Sequence, residues 1–317
     1  MSLPTRARRV FPYVAWGTLG LNVLVILWGA VVRATGSGDG CGANWPKCGQ
    51  QLIPASPTIE TLIEFSHRAS SLLAGLGVAA VFFLALRAWP KRHLVRRAAT
   101  ASGVLIVIEA LLGASLVLFG WVDDDVSAAR MIMVPLHLVN TFMLLGSLAV
   151  TAWWGSGFAP PHTEGKDRSI RWLWVGGIAL LILGGTGALN ALADTIFPAN
   201  AAAGGAAGEF GATAPLLVRL RVIHPIVAVV GGLLVGWIAA DTAKRGSMRT
   251  KRLASTVSIV VLVQFFVGMA NVLLFAPLAM QVTHLFFADV LWLSFVAFAL
   301  SWLGDPIRVR TRKTVSA

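Results

Sequence analysis

Residues 59–88, IETLIEFSHRASSLLAGLGVAAVFFLALRA, decide the fold of this chain. From residue 69 to residue 86 the stretch has no charged side chain. A helix needs about 20 mostly apolar residues to cross the hydrocarbon core of a bilayer, so the stretch predicts a transmembrane helix. Other stretches share this character, and the sequence predicts eight spans: 11–32, 59–88, 97–119, 131–154, 171–193, 217–240, 253–275 and 279–302.

The composition of the whole chain agrees with this interpretation. Of 317 residues, 56% are apolar and 13% are charged, whereas soluble domains carry about 25% charged residues. Intrinsic disorder requires low hydrophobicity, and the mean hydropathy here is +0.76. The apolar stretches are continuous and do not alternate with period two, which argues against an outer-membrane barrel. We therefore predict an all-α, polytopic membrane protein with eight transmembrane helices.

The net charge of +12 reflects membrane topology. The N-terminal segment, the loops after spans 2, 4 and 6, and the tail hold 20 of the 26 Lys and Arg residues. By the positive-inside rule, we expect both termini to be cytoplasmic, and we expect no nucleic-acid partner. The 20 residues are Arg6, Arg8, Arg9, Arg87, Lys91, Arg92, Arg96, Arg97, Lys166, Arg168, Arg171, Lys244, Arg245, Arg249, Lys251, Arg252, Arg308, Arg310, Arg312 and Lys313.

Spans 1–4 and spans 5–8 share a pattern that predicts an internal repeat. Glu109 precedes Gly113 by four residues in span 3, and Gln264 precedes Gly268 by four in span 7. Because each unit has an even number of helices, the two halves enter from the same side, as two parallel four-helix bundles. One histidine also lies early in each even-numbered span: His67, His137, His224 and His284.

These four histidines are the main candidates for chemistry. Ionisable groups inside a membrane are costly and usually face the bundle interior for a function. All four spans run from outside to inside, so the four side chains lie at similar depth in the outer leaflet. Two neutral imidazoles from facing helices can bind a haem iron from both sides. We expect this of His67 with His137 and of His224 with His284; interhelical hydrogen bonding is the alternative.

Other ionisable side chains receive simpler interpretations. A zinc site would need carboxylate or thiolate ligands, and only Asp289 lies close to the second histidine pair in sequence. Glu109 and Asp289 are interpreted as structural hydrogen-bond partners. Four outer arginines can pair with haem propionates, although snorkelling to the interface explains each equally well: Arg33, Arg68, Arg219 and Arg221.

The first outer loop, residues 33–58, contains Cys41 and Cys48. Both face the oxidising side of the membrane, so we expect a disulfide; free or metal-binding thiols are the alternative. Ser56 and Pro57 are interpreted as the start of span 2. Glu64 and His67 then follow on one face of that helix.

These motifs resemble the signature of the haem A synthase family, in its bacterial eight-span form with a cysteine pair in the first outer loop. The resemblance covers essentially the whole chain. It implies oxidation of the C8 methyl of haem O to the formyl group of haem A, for cytochrome oxidases. The motifs are Val32-Arg33-x-Thr35-Gly36-Ser37-Gly38, Cys41…Trp45-Pro46-x-Cys48 and Glu64-x-x-His67-Arg68.

The resemblance also implies roles for the two halves. Residues 1–155 would hold the substrate haem between His67 and His137, with Glu64 as the essential acid. Residues 156–317 would hold haem b through its own histidine pair. Some family members have a second cysteine pair between spans 5 and 6, which this chain lacks, so no role of that pair is carried over.

Two other functions fit part of the pattern. A di-haem b-type electron carrier that handles quinol also needs four histidines, but it has less reason for an acid and a cysteine loop in only one half. A repeat-based transporter usually has broken helices at the bilayer midplane, whereas the polar residues here lie near the outer surface. The implied partners are haem O, a haem O synthase (farnesyltransferase) that delivers it, and a quinol or thiol protein as electron donor.

Overall fold

The computed structural model describes residues 3–198 and 215–306, and its regular structure there is helical. The predicted eight spans are confirmed within these residues, because each helix belongs to a segment long and apolar enough to cross a membrane. The basic tail, from Arg308 to Lys313, lies outside the described residues. The helices are α1 (Leu3–Ala34), α2 (Ile59–Ala88), α3 (Leu94–Leu118), α4 (Ala128–Gly155), α5 (Asp167–Ile196), α6 (Ile223–Ala243), α7 (Met248–Leu273) and α8 (Leu278–Gly304).

The sixth span has an irregular outer end. It begins with a helical turn, Leu216–Arg219, and a 3-10 turn, Leu220–Val222, before α6 starts. Pro225 lies in the first turn of α6, where backbone amides have no helical acceptor in any case. Its missing N–H therefore costs little at this position, and the change from 3-10 to α-helix occurs just before it.

Polar side chains fix where several helices begin. The hydroxyl oxygen of Thr58 accepts a hydrogen bond from the Thr61 amide at 3.2 Å and caps α2. The predicted cap at Ser56 is therefore wrong, since the chain becomes helical only at Ile59. On the opposite side, the exposed His93 ring caps α3 by accepting from the Val95 amide at 3.3 Å. Such caps satisfy amides that the helix itself leaves without partners.

The helices of each half contact one another in a ring. In the first half α1 contacts α2 and α4, and α3 contacts the same two helices. The second half has the same pattern, with α5 and α7 each contacting α6 and α8. Helices α1, α4, α5 and α8 meet between the halves. The contact pattern agrees with a parallel repeat, whose rotational symmetry stays a prediction.

Aromatic side chains and glycines hold the two halves together. The indole N–H of Trp292 on α8 donates to the Phe142 carbonyl of α4 at 2.5 Å, and the two rings stack. Gly146 makes room for the Trp292 ring, because an added Cβ there would lie 3.0 Å from it. Gly184 on α5 accommodates the Phe142 ring in the same way, at 2.8 Å. Small residues thus permit the close helix approach that stabilises membrane bundles.

Lys166 lies buried in the loop before α5 and caps the C-terminal end of α8. Its ammonium group donates to the carbonyls of Trp302 and Asp305 at 2.8 and 2.6 Å, at the C-terminal end of α8. Helix C-termini leave carbonyls without partners and carry partial negative charge, so an ammonium group stabilises them. Burial lowers the pKa of Lys166, and the nearby Asp305 opposes that shift.

We expect Lys166→Met to lower the free energy of unfolding by about 2 kcal/mol, because charged hydrogen bonds to the α8 carbonyls are lost. Thermal unfolding in detergent measures this. Lys244→Met is the matched control, since Lys244 pairs only with Asp241 at an exposed site. Equal stability of the two variants would contradict the capping role of Lys166.

Candidate functional site

Each of the four candidate histidines lies against a glycine of the preceding helix. An added Cβ would come within 3.1 Å of the ring at three of these glycines, and at Gly113 it would lie in ordinary contact at 3.5 Å. At three of the four positions a residue larger than glycine would therefore press on the histidine ring. The pairs are Gly29 with His67, Gly113 with His137, Gly187 with His224 and Gly268 with His284.

The structure brings the second-half histidines together. The ring centroids of His224 and His284 are 6.3 Å apart, and the ring planes are nearly perpendicular. Two imidazoles bound to one metal ion through nitrogens at about 2 Å would have centroids roughly 6 Å apart. Thr186 contacts Nδ1 of His224 at 3.2 Å, which can fix its tautomer. The spacing fits one iron atom between the two rings.

The described part of the second half holds no cluster of zinc ligands. Within the described residues, no three His, Cys, Asp or Glu side chains converge as metal ligands. Asp289 is fully buried, and neither of its carboxylate oxygens has a hydrogen-bond partner in that part of the chain. The interpretation of Asp289 as a structural hydrogen-bond partner is therefore wrong, and the structure gives it no ligand role either.

In the first half, the carboxylate of Glu109 lies beside His137. Nδ1 of His137 lies 3.4 Å from a carboxylate oxygen of Glu109. The same carboxylate accepts from the Asn140 amide at 2.6 Å and from the Thr141 hydroxyl. His137 also lies close enough to His67 to interact with it electrostatically. Glu109 is thus a structural acceptor, as predicted, and its carboxylate lies beside a candidate ligand.

Glu64 is buried, with 3% of its surface exposed, and both carboxylate oxygens are engaged. Oε2 accepts from the backbone N–H of Cys41 at 2.6 Å. Oε1 accepts from Nε of Arg68 at 2.9 Å and also from an Nη of the same guanidinium. A charged partner on the next helical turn stabilises the ionised carboxylate. His67 lies on the same helix between these two residues in sequence.

Hydrogen bonds hold the first outer loop against α2 near Glu64. Nη1 of Arg68 donates to the carbonyls of Asn44 and Lys47, each at 2.6 Å. The hydroxyl of Thr61 donates to the Gly40 carbonyl at 2.7 Å. Gly40 lies so close to α2 that an added Cβ would be 2.5 Å from the Glu60 carbonyl oxygen. The loop backbone therefore closes over the start of α2.

The predicted disulfide between Cys41 and Cys48 is confirmed. Both residues are buried, and free or metal-binding thiols are excluded. The bridge closes the loop segment whose first amide contacts Glu64. Trp45, inside this segment, is half exposed.

The outer arginines already have protein partners. Arg33, at the end of α1, reaches the other half: it donates to Ala191 and Thr195 of α5 and to Gln281 of α8. Arg221 donates to the Ala193 and Phe197 carbonyls, with Nε 3.2 Å from Asp194. Arg219 lies in the helical turn that opens the sixth span.

Two features of the site are absent from the sequence predictions. The role of Glu109 beside His137 depends on the pairing of α3 with α4, which the sequence does not specify. The glycines facing the rings were visible in part, because Gly113 and Gly268 repeat at matching positions. No such spacing signal pointed to Gly29 and Gly187.

The chain is similar to known proteins over most of its length. A family model described as COX15-CtaA, cytochrome oxidase assembly protein, matches residues 12–296. A Thermus thermophilus protein named "Protoheme IX farnesyltransferase" is 48% identical over 292 residues, which are 91% of this chain and 48% of that protein. The chain thus spans about half the length of this relative.

Proteins named "Heme A synthase" match a shorter region. Those of Alkalihalophilus pseudofirmus and Halalkalibacterium halodurans are 46% and 45% identical over 101 residues. These residues are 31% of this chain and 33% of each relative. Because the family model covers most of its length, the chain belongs to the COX15-CtaA family of cytochrome oxidase assembly proteins.

Proposed function

We propose that this protein is a haem A synthase, which oxidises the C8 methyl group of haem O to the formyl group of haem A. Family membership supports a role in cytochrome oxidase assembly, and relatives named for this activity support the reaction. The observation that carries the proposal is the buried Glu64, held between Arg68 and the Cys41 amide beside His67. This arrangement places the buried carboxylate of Glu64 beside a candidate haem ligand in the first half.

In this proposal, residues 156–317 bind haem b through His224 and His284. The ring spacing and the glycines beside both rings support this assignment. When bound, haem b supplies one-electron redox chemistry. Thr186 of α5 contacts the His224 ring and orients it.

Residues 1–155 bind the substrate haem, haem O, between His67 and His137. The Glu109 carboxylate lies 3.4 Å from Nδ1 of the His137 ring. Oxidation of the methyl group withdraws electrons and develops positive charge at its carbon. The ionised Glu64 stabilises that charge electrostatically. Proton acceptance by Glu64 is the alternative.

The outer arginines are proposed as propionate partners at the level of the histidines. Arg33 suits the second half best, because it contacts Gln281, one helical turn before His284. Arg68 would have to give up contacts with Glu64 or the loop carbonyls in order to bind a propionate. Arg219 and Arg221 lie within a few residues of His224.

The proposed setting is a bacterial cell membrane, with both termini cytoplasmic and the haem sites toward the outer face. Haem O would come from a haem O synthase, and a relative named as a farnesyltransferase supports a link to that pathway. A quinol or a thiol protein is the proposed electron donor, and the oxidation of the methyl group itself requires a separate oxidant as electron acceptor. A di-haem electron carrier is the second candidate, and it is disfavoured because the Glu64 contacts occur in the first half.

We expect His224→Ala and His284→Ala each to abolish the low-spin haem b spectrum of the purified protein, since one imidazole cannot provide both axial ligands. Reduced-minus-oxidised spectra and extracted pigment measure this. His162→Ala, in an exposed loop, is the control and should keep the spectrum. Normal haem b content in both single variants would refute the assignment.

We expect Glu64→Gln to lower haem A formation by about 100-fold or more, because it removes the charge that stabilises the transition state. Glutamine keeps the size and one acceptor for the Cys41 amide, so the loop should stay in place. Pigments extracted from cells that supply haem O measure the conversion. Glu60→Gln, an exposed change in the first turn of the same helix, is the control; wild-type activity of Glu64→Gln would exclude a role for the charge.

We expect Gly40→Ala to lower activity by about 100-fold, since its Cβ would push the loop away from α2 and a displacement of about 1 Å has effects of that size. Haem b content should not change. Gly75→Ala is the matched control on α2, because nothing lies within 4 Å of a Cβ there. Full activity of Gly40→Ala would show that the loop position does not matter.

A further inference from the structure

A cavity of about 660 Å³ lies at the inner end of the first half. It is formed by the start of α1, the connection between α2 and α3, and the end of α4 with the loop that follows. Arg9 on α1 lines it, whereas Gly29, which contacts His67, is 20 residues further along α1. At 1.5 Å per residue, this inner cavity is about 30 Å from the candidate site.

The described residues that line the inner cavity give it a positive charge, with no acidic side chain among them to balance it. Arg8, Arg9 and His93 line it, and none of the described lining residues is acidic. Nε of Arg8 donates to the Ala88 carbonyl at 2.8 Å, which points the guanidinium along the cavity wall. Burial and the charge of Arg8 lower the pKa of His93, so the positive charge at the cavity comes from Arg8 and Arg9. Two guanidinium groups with no carboxylate among the described lining residues favour an anion from outside the protein.

The walls of the inner cavity are aromatic. The Arg8 guanidinium lies 5.8 Å from the centre of the Trp89 ring, and Trp89 stacks on His93. Trp154 and Tyr13 complete the rim, with 79% of Tyr13 exposed. Tryptophan and tyrosine favour the headgroup level of a membrane. The cavity thus suits a ligand with an anionic head and an apolar body.

We propose that the inner cavity binds the headgroup of an anionic phospholipid, with Arg8 and Arg9 contacting its phosphate. Basic pockets between transmembrane helices on the cytoplasmic side bind such headgroups. The acyl chains would lie along the exposed apolar surface of α1, beside Trp16, whose indole N–H donates to Ser156 at 3.1 Å. The bound lipid would tie together the three segments that form the cavity.

The test compares lipid retention by native mass spectrometry after addition of phosphatidylglycerol or phosphatidylcholine to the purified full chain. Wild-type protein should prefer phosphatidylglycerol. Arg9→Gln should weaken its retention about fivefold, and Arg8→Gln with Arg9→Gln about 30-fold. The control, Arg96→Gln with Arg97→Gln, removes the same charge outside the cavity and should keep the preference. Equal retention in the two double variants, or no lipid preference in wild type, would overturn the proposal.

The single variant and a second ligand keep the test informative even if the double variant does not fold. Arg9→Gln alone leaves the hydrogen bond between Arg8 and Ala88 intact, so its effect is interpretable if the double variant does not fold. Millimolar inorganic phosphate tests whether a headgroup without chains suffices. Phosphatidylglycerol, but not phosphate, should raise the thermal unfolding temperature of wild type; equal stabilisation by phosphate would show a free-anion site and contradict a lipid site.

Discussion

Polar groups inside the bilayer are costly without partners in the protein, and the first half meets this constraint at Glu64 and Glu109, whereas Asp289 has no such partner among the described residues. No water solvates a carboxylate or a backbone carbonyl in the hydrocarbon region. Glu64 is therefore bound on both oxygens by Arg68 and the Cys41 amide. Glu109 accepts from two side chains of α4 in the same way. The first set of contacts holds the outer loop on α2, and the second holds α3 against α4.

Glycines on neighbouring helices provide space for large side chains inside the bundle. A histidine ring needs space if it is to bind a ligand inside a packed bundle, and a glycine on the neighbouring helix provides that space without a polar cost. Gly187 and Gly268 do this for the pair whose rings are 6.3 Å apart. Elsewhere the same residue type admits apolar rings, as Gly146 does for Trp292. Glycine thus sets both the interface between the halves and the space beside the rings.

The sequence was sufficient for the number of spans and the disulfide, because apolar length and paired cysteines on the oxidising side are local signals. It failed where the outcome depends on which helices touch. Thr58, and not Ser56, caps α2, because its hydroxyl accepts from the Thr61 amide. Lys166 counts as a topology signal in the sequence, whereas the structure buries it at the end of α8. The partners of Glu64 lie 23 and four residues away, so only the second was visible as a helical spacing.

The difference between the halves supports separate tasks on one scaffold. Both have the same ring of helix contacts and a pair of histidines against glycines. The second half supports His224 with the neutral hydroxyl of Thr186, and a neutral environment suits a resident group that only exchanges electrons. The first half adds Glu64 and Glu109, two carboxylates near the histidines. Negative charge there favours a reaction that develops positive charge. Because the disulfide loop contacts Glu64 through its backbone, the position of that carboxylate depends on the loop.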